Sequence, residues 1–174
     1  MDRDEINEAL HELAEELDGR GVVARLYLVG GAAMVLAYES RFSTDDVDAS
    51  SYPAEDVLAV AAEVGERRGL RSDWLDDSVK VYLPTASEPE WRPVFKVGSV
   101  DVVVADERTL LAMKMRASRG LRDEADIQFL LGKCQITSVD DALVLYEEYF
   151  PEDELPSRAM PMLRHALSGS GNDR

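Results

Sequence analysis

Two adjacent glycines stand where they could support chemistry on a phosphate. Gly30 and Gly31 follow the apolar run 26–29 and precede a second run of small apolar residues, which is the order strand, glycine turn, helix. Glycines at such a turn let backbone amides approach a ligand, and the helix start adds partial positive charge. The turn therefore favours a phosphate, and the alternative is tight packing of strand against helix without a ligand.

A pair of aspartates follows fifteen positions later. Asp46 and Asp48 flank Val47, and side chains two apart on a strand project to the same side. Two carboxylates held together repel each other unless a cation lies between them, and oxygen ligands suit Mg²⁺ or Mn²⁺. The alternative is an exposed acidic turn that also includes Asp45.

A third aspartate, Asp101, lies inside the valine run 100–104. A charge in such a run is costly unless it is paired or binds a metal. On a strand beside Asp46 and Asp48, it would complete a carboxylate triad for two divalent ions, which bridge nucleotide phosphates and activate an attacking hydroxyl. The alternative is an aspartate at a strand edge that faces water.

Taken in order, these features resemble the nucleotidyltransferase superfamily related to DNA polymerase β. That family has Gly-Gly or Gly-Ser at a strand-to-helix turn, Asp-x-Asp on the next strand and a later aspartate on a neighbouring strand. The closer likeness is to small bacterial nucleotidyltransferases of the AbiEii-like toxin type. The likeness spans residues 26 to about 131, and its segments are 28–33, 41–48, 110–117 and 122–127.

The resemblance implies an enzyme that moves a nucleoside monophosphate from a nucleoside triphosphate to a hydroxyl group and releases pyrophosphate. It implies catalysis and Mg²⁺ binding (Mn²⁺ is the alternative ion) by Asp46, Asp48 and Asp101, with Asp101 assisting deprotonation of the hydroxyl. The acceptor would be a tRNA end, a protein side chain or a small molecule such as an aminoglycoside. A toxin–antitoxin setting, with a cognate partner protein, follows from the likeness alone. The matching nucleotide-binding positions are Gly30, Gly31, Lys114 and Asp126, with Asp123 as a further acidic match.

Basic residues add to this site. Arg41 and Thr44 come just before the aspartate pair, where they reach a phosphate or cap their loop. A basic stretch without acids follows at 114–122, and aspartates four positions later account for its last two cations by i,i+4 pairing. The first two leave room for a triphosphate or an RNA backbone. The four cations are Lys114, Arg116, Arg119 and Arg122.

Periodicity predicts an α/β (α+β) fold, a nucleotidyltransferase-type mixed β-sheet flanked by helices, with a helical C-terminal part. We expect a core over 1–106, a helical part packed on it over 107–168 and a disordered tail over 169–174. Expected helices cover 4–18, 32–37, 53–68, 107–118, 122–132, 138–148 and 157–167. Expected strands cover 26–29, 45–49, 79–83, 94–97 and 100–104.

Composition limits the functions that remain. The 174 residues carry 35 acids against 19 Lys and Arg, and the net charge of −16 opposes non-specific binding to nucleic acid and anionic membranes. A single cysteine, Cys134, excludes an internal disulfide and suits a reducing cytoplasm. The sequence lacks both a ~20-residue apolar span and a signal-like start, so we expect a cytoplasmic protein without membrane contact.

A second class of function stays open. A catalytically silent protein with this fold would act as a binding partner or antitoxin. The intact aspartates at 46, 48 and 101 argue against it, because a protein without selection for metal binding readily loses one of them.

Overall fold

The computed structural model describes residues 1–84, 86–118 and 121–169, and the chain divides into two compact units. The first contains residues 1–81 and 91–105, and the second contains residues 82–90 and those from 106 onward. The predicted α/β class with a helical C-terminal part is confirmed. Residues 170–174 of the predicted tail lie outside the described residues.

The helices and strands follow the predicted order, with one exception described below. The first unit holds α1 (Arg3–Gly19), β1 (Ala24–Leu28), α2 (Gly30–Leu36), β2 (Val47–Tyr52), α3 (Ala54–Arg68), β3 (Leu75–Asp76), β4 (Trp91–Val97) and β5 (Val100–Ala105). The second unit holds α4 (Glu107–Ala117), α5 (Leu121–Lys133), α6 (Val139–Tyr149) and α7 (Ala159–Gly169).

The sheet of the first unit is mixed, with strand order β3-β2-β1-β5-β4. β1 runs antiparallel to β2 and parallel to β5, and β4 forms an antiparallel hairpin with β5. The hairpin turn contains Gly98, which has a φ of +51° that suits a residue without a side chain. β1 is therefore the central strand between the two parts of the sheet.

The helix α1 forms because its sequence combines a cap with an apolar stripe. Asp2 accepts from the backbone N–H of Glu5, and Glu5 accepts from the backbone N–H of Asp2, which is a capping box. The apolar positions recur at helical spacing and are fully buried, so the stripe faces the core. These residues are Ile6, Leu10, Leu13 and Leu17.

The acidic outer surface of α1 is partly neutralised by α3. Arg67 donates to Glu12 and Glu16, and Arg68 donates to Glu12 and Glu8. A face that the sequence presents as solvated acid is in fact a set of exposed ion pairs between two helices. Each such pair contributes little by itself because water and salt screen it.

The two faces of the sheet differ. Leu26 on β1 and Val102 on β5 are fully buried and share a face with Phe95, which stacks on His11 of α1 with ring centroids 3.8 Å apart. α1 therefore lies on that face. Alternation then puts Asp48 of β2 on the opposite face, where its side chain is half-buried.

The predicted strand over 79–83 is wrong, because a 3₁₀-helix occupies Ser78–Tyr82. Asp76 accepts from both the backbone N–H and the hydroxyl of Ser78, and local bonds of this kind compete with an extended chain. Val79 is buried but Val81 is 73% exposed, so the segment does not show the burial expected along a strand. The strand predicted at 45–49 begins two residues later and extends to Tyr52.

The second unit is a set of packed helices. Asp106 caps α4 by accepting from the backbone N–H of Thr109 at 2.7 Å, and Ser138 caps α6 in the same way. α5 packs against α4 and α7, and its apolar side includes the buried Ile127 and Leu130. Of the helices in the described part of the chain, none has the length and apolar character that crossing a bilayer requires.

Two helical glycines should respond oppositely to alanine. A Cβ on Gly65 of α3 would lie 2.8 Å from Cδ1 of the buried Trp74, whereas a Cβ on Gly132 of α5 would meet no described atom within 4 Å beyond its chain neighbours and its own helix backbone. We expect Gly65→Ala to lower the free energy of unfolding by roughly 1–3 kcal/mol through overpacking. We expect Gly132→Ala to raise it by up to about 1 kcal/mol. Urea unfolding of both variants tests this, and a loss of stability in Gly132→Ala would contradict it.

The contact between α1 and the β4–β5 turn should make stability depend on pH. The backbone N–H and hydroxyl of Ser99 both donate to Asp18 at 2.8 Å, and they lower the pKa of this carboxyl. A lowered pKa in the folded state stabilises the protein above the unfolded pKa of about 3.9, and that contribution is lost as pH falls through the folded value. We expect the stability difference between wild type and Asp18→Asn to be largest near pH 6 and to shrink below about pH 4. A difference that stays constant over this range in urea unfolding would contradict the assignment.

Candidate functional site

The end of β1 brings Gly30 against Asp48. The backbone N–H of Val29 donates to the carbonyl of Asp48 at 3.0 Å, so β2 lies alongside the point where the glycine turn begins. Gly30 has a φ of +60°, and a Cβ there would overlap the Asp48 carboxylate. Both its backbone conformation and the lack of space therefore require glycine at position 30. The predicted turn between strand and helix thus lies in close contact with Asp48.

Gly31 makes a second close contact, with the segment before the aspartates. A Cβ on Gly31 would overlap the side chain of Thr44 and lie 3.2 Å from Nη1 of Arg41. Thr44 is buried and Arg41 is half-buried. The structure thus brings together five of the predicted site residues, Gly30, Gly31, Arg41, Thr44 and Asp48.

Asp46 lies at the same end of the sheet, just before β2 begins. It is half-buried, like Asp48, and the buried Val47 separates the two. Arg71, which the sequence does not single out, lies near it. The pKa of Arg71 is raised mainly by its bond to Asp73, and the charges of Asp46 and Asp45 add to this. Sequence spacing holds no signal for this neighbour, because Arg71 is 25 positions away.

Asp101 does not join this group. The expectation that its strand adjoins that of Asp48 is wrong, because β1 lies between β5 and β2. Asp101 lies opposite Arg25 near the start of β1, whereas Asp48 pairs with Val29 just beyond its end. Four residues along the strands and two strand spacings separate their backbone positions by roughly 16 Å. The charge in the valine run is instead paired with Lys96, whose Nζ lies 2.9 Å from the Asp101 carboxylate.

The donor set can be compared with what a divalent ion requires. Within residues 1–84, 86–118 and 121–169, no three His, Cys, Asp or Glu side chains gather as a metal site. Mg²⁺ nevertheless binds nucleotide sites through one or two carboxylates, with substrate phosphates and water completing its shell. Asp46 and Asp48 fit that role for one ion, whereas the three-carboxylate arrangement does not fit.

In the second unit, Lys114 is held by two acids. Its Nζ lies 3.0 Å from Oδ1 of Asp123 and 2.7 Å from Oδ2 of Asp126, and all three side chains are at most 9% exposed. Asp123 and Asp126 follow Lys114 by nine and twelve residues, so these ion pairs connect α4 to α5. The resemblance assigns Lys114 to a triphosphate, and the structure adds that its charge is already balanced by carboxylates.

The other cations of the basic stretch are only partly described. Arg116 forms an ion pair with Asp153 at 2.7 Å and lies over the ring of Phe150. Arg119 lies outside the described residues, and so does the side chain of Arg122. The basic character of this segment is thus reduced at Arg116 as well as at Lys114.

Cys134 is a half-buried thiol. Burial raises its pKa to about 11, so it is not a nucleophile near neutral pH.

Comparison of this chain with known proteins finds no matching family model, no matching curated protein and no matching solved structure. The likeness to nucleotidyltransferases therefore remains a prediction from the sequence motifs.

The buried ion cluster of the second unit should matter more than an exposed pair. Lys114→Met leaves Asp123 and Asp126 buried without their cation, so we expect a loss of about 3–5 kcal/mol in the free energy of unfolding. Lys96→Met is the matched control, because Lys96 and its partner Asp101 are exposed, and should cost no more than about 1 kcal/mol. Urea unfolding near pH 7 measures both, and equal losses would contradict a stabilising role for the buried cluster.

Proposed function

We propose that this protein is a Mg²⁺-dependent nucleotidyltransferase, which transfers a nucleoside monophosphate from a nucleoside triphosphate to a hydroxyl group. The observation that carries the proposal is a pair of close contacts at the end of β1, in which Asp48 lies against Gly30 while Thr44 and Arg41 lie against Gly31. A guanidinium and a hydroxyl, both of which lie against the glycine turn, are groups that bind phosphate. A carboxylate among them would repel a phosphate unless a cation binds as well.

The proposed cation site is Asp46 with Asp48. Mg²⁺ bound there would supply positive charge that offsets the developing charge on the phosphates. The two carboxylates would hold the ion and Arg41 and Thr44 would hold the phosphate oxygens, while the missing side chains of Gly30 and Gly31 let these groups lie close to the turn. Mn²⁺ offers the same oxygen chemistry.

The transfer step needs no reactant besides the nucleoside triphosphate and the acceptor hydroxyl. The acceptor oxygen forms a bond to the α-phosphorus while the bond from that phosphorus to the bridging oxygen breaks, and pyrophosphate leaves with the electron pair. The hydroxyl proton passes to a carboxylate. Because Asp101 lies far along the sheet and pairs with Lys96, Asp46 and Asp48 are better placed than Asp101 to accept it.

The net charge of the protein limits, but does not identify, the acceptor of the nucleotide. A net charge of −16 disfavours broad RNA binding, so a tRNA acceptor would dock locally, and a protein or small-molecule hydroxyl serves equally well. The toxin role in a toxin–antitoxin system, with a cognate partner protein, rests on the sequence resemblance.

A second candidate is a catalytically silent protein with this fold that acts as a binding partner. The observation that favours it is the position of Asp101, which leaves two predicted carboxylates, Asp46 and Asp48, at the candidate site. Arg71, whose pKa is raised in part by Asp46, provides a protein cation near the site. The two candidates differ in whether label moves from a nucleotide to an acceptor.

Label transfer tests the proposal. The protein is incubated with α-labelled nucleoside triphosphates, Mg²⁺ and pooled tRNA or cell lysate, and covalent label on RNA, protein and small molecules is counted. We expect transfer by wild type and a reduction of at least about 100-fold in Asp46→Asn and Asp48→Asn. Asp56→Asn, an exposed acid on α3, is the matched control and should transfer like wild type.

Two results would contradict the proposal. Transfer that survives both substitutions would exclude these carboxylates from the reaction. Failure of wild type to label any acceptor, with any of the four nucleotides, would favour the silent protein. Asp101→Asn adds a separate test, because the strand register predicts activity within a few-fold of wild type.

A further inference from the structure

Phe42 is exposed far beyond what its chemistry favours. Its side chain is 98% accessible, the highest value among the exposed large hydrophobic side chains of the described residues. Burial of a phenylalanine ring stabilises a folded protein, so the exposure of this ring is not explained by folding. Single exposed apolar residues are common, however, so this position needs a second observation before it indicates function.

The second observation is that the segment around Phe42 is tied to the rest of the unit on both sides. Ser43 forms an antiparallel bridge with Asp2, and the backbone N–H of Thr44 donates to the carbonyl of Met1 at 2.9 Å. The backbone N–H of Ser40 donates to Met34 at 3.2 Å. The exposed ring therefore belongs to an anchored piece of chain.

The residues on either side of Phe42 in the chain lie against the glycine turn. Arg41, immediately before Phe42, and Thr44, two residues after it, both approach Gly31 closely enough to exclude a Cβ there. The same segment thus brings a cation and a hydroxyl to the glycine turn, and the residue between them in the chain leaves its ring in solvent. Phosphate-binding groups and an accessible ring within four consecutive residues match the two halves of a nucleotide.

We propose that Phe42 is the base-stacking residue of the candidate site and holds the nucleobase of the nucleoside triphosphate. This inference rests on the proposed function and adds a specificity element to it. Every base has a π-face, so stacking on Phe42 favours nucleotides over other phosphate compounds without selecting one base by hydrogen bonds. A free nucleotide fits better than a polynucleotide, because the strongly acidic chain repels a long phosphate backbone.

Binding measurements with and without a base test the proposal. Calorimetry with Mg²⁺ gives the affinity of wild type, Phe42→Ala and Phe42→Trp for each of the four nucleoside triphosphates and for inorganic tripolyphosphate. Phe42→Ala should weaken nucleotide binding by roughly tenfold or more, leave tripolyphosphate binding within about twofold, and be rescued by Phe42→Trp. Val144→Ala, an exposed apolar residue on α6, is the matched control and should bind like wild type.

The outcomes separate this inference from the proposed function. Wild type that binds nucleotides, with Phe42→Ala unchanged or weakened equally for tripolyphosphate, would overturn base stacking and leave the phosphate site standing. Wild type that binds tripolyphosphate as tightly as any nucleotide would also overturn it. Absence of nucleotide binding to wild type would overturn both the proposed function and the role of Phe42.

Discussion

The first unit depends on a steric constraint at the end of β1. Two glycines meet Asp48 and Thr44 so closely that no Cβ fits, and Gly30 also takes a left-handed conformation. This contact fixes where the chain can pass after α2 and where β2 can begin. It also explains why Asp48, Thr44 and Arg41 lie at this turn, since the missing glycine side chains leave the room that they occupy.

Charge balance works differently in the two units. Asp46 and Asp48 lie half-buried at one end of the sheet, where under the proposed function Mg²⁺ and substrate phosphates would offset their charge. Lys114 lies buried between two aspartates that already offset it, so part of the basic stretch that looks available in the sequence is internally compensated. An overall charge of −16 thus says little about any one site, because local pairing decides which charges a ligand meets.

Local signals made much of the fold predictable. The capping box and stripe of α1, the turn at Gly98 and the cap Asp106 each act over a few residues, and these elements formed near the expected positions. The strand predicted over 79–83 was wrong because valine and tyrosine are typical of strands, whereas here the hydrogen bonds that Asp76 accepts from Ser78 stabilise a tight turn. Periodicity cannot detect such competition when no neighbouring strand is known.

The sequence by itself determined the α/β class, the glycine turn and the place of Asp46 and Asp48 at one strand end, because backbone stereochemistry and hydrophobic periodicity act locally. Only the tertiary structure decided that β1 separates Asp101 from that pair, and that Lys96 is its partner. Strand order and charge pairing join residues distant in the chain, and spacing alone does not specify them. The exposure of Phe42 likewise depends on the tertiary structure, because it is decided by which distant residues pack against this position.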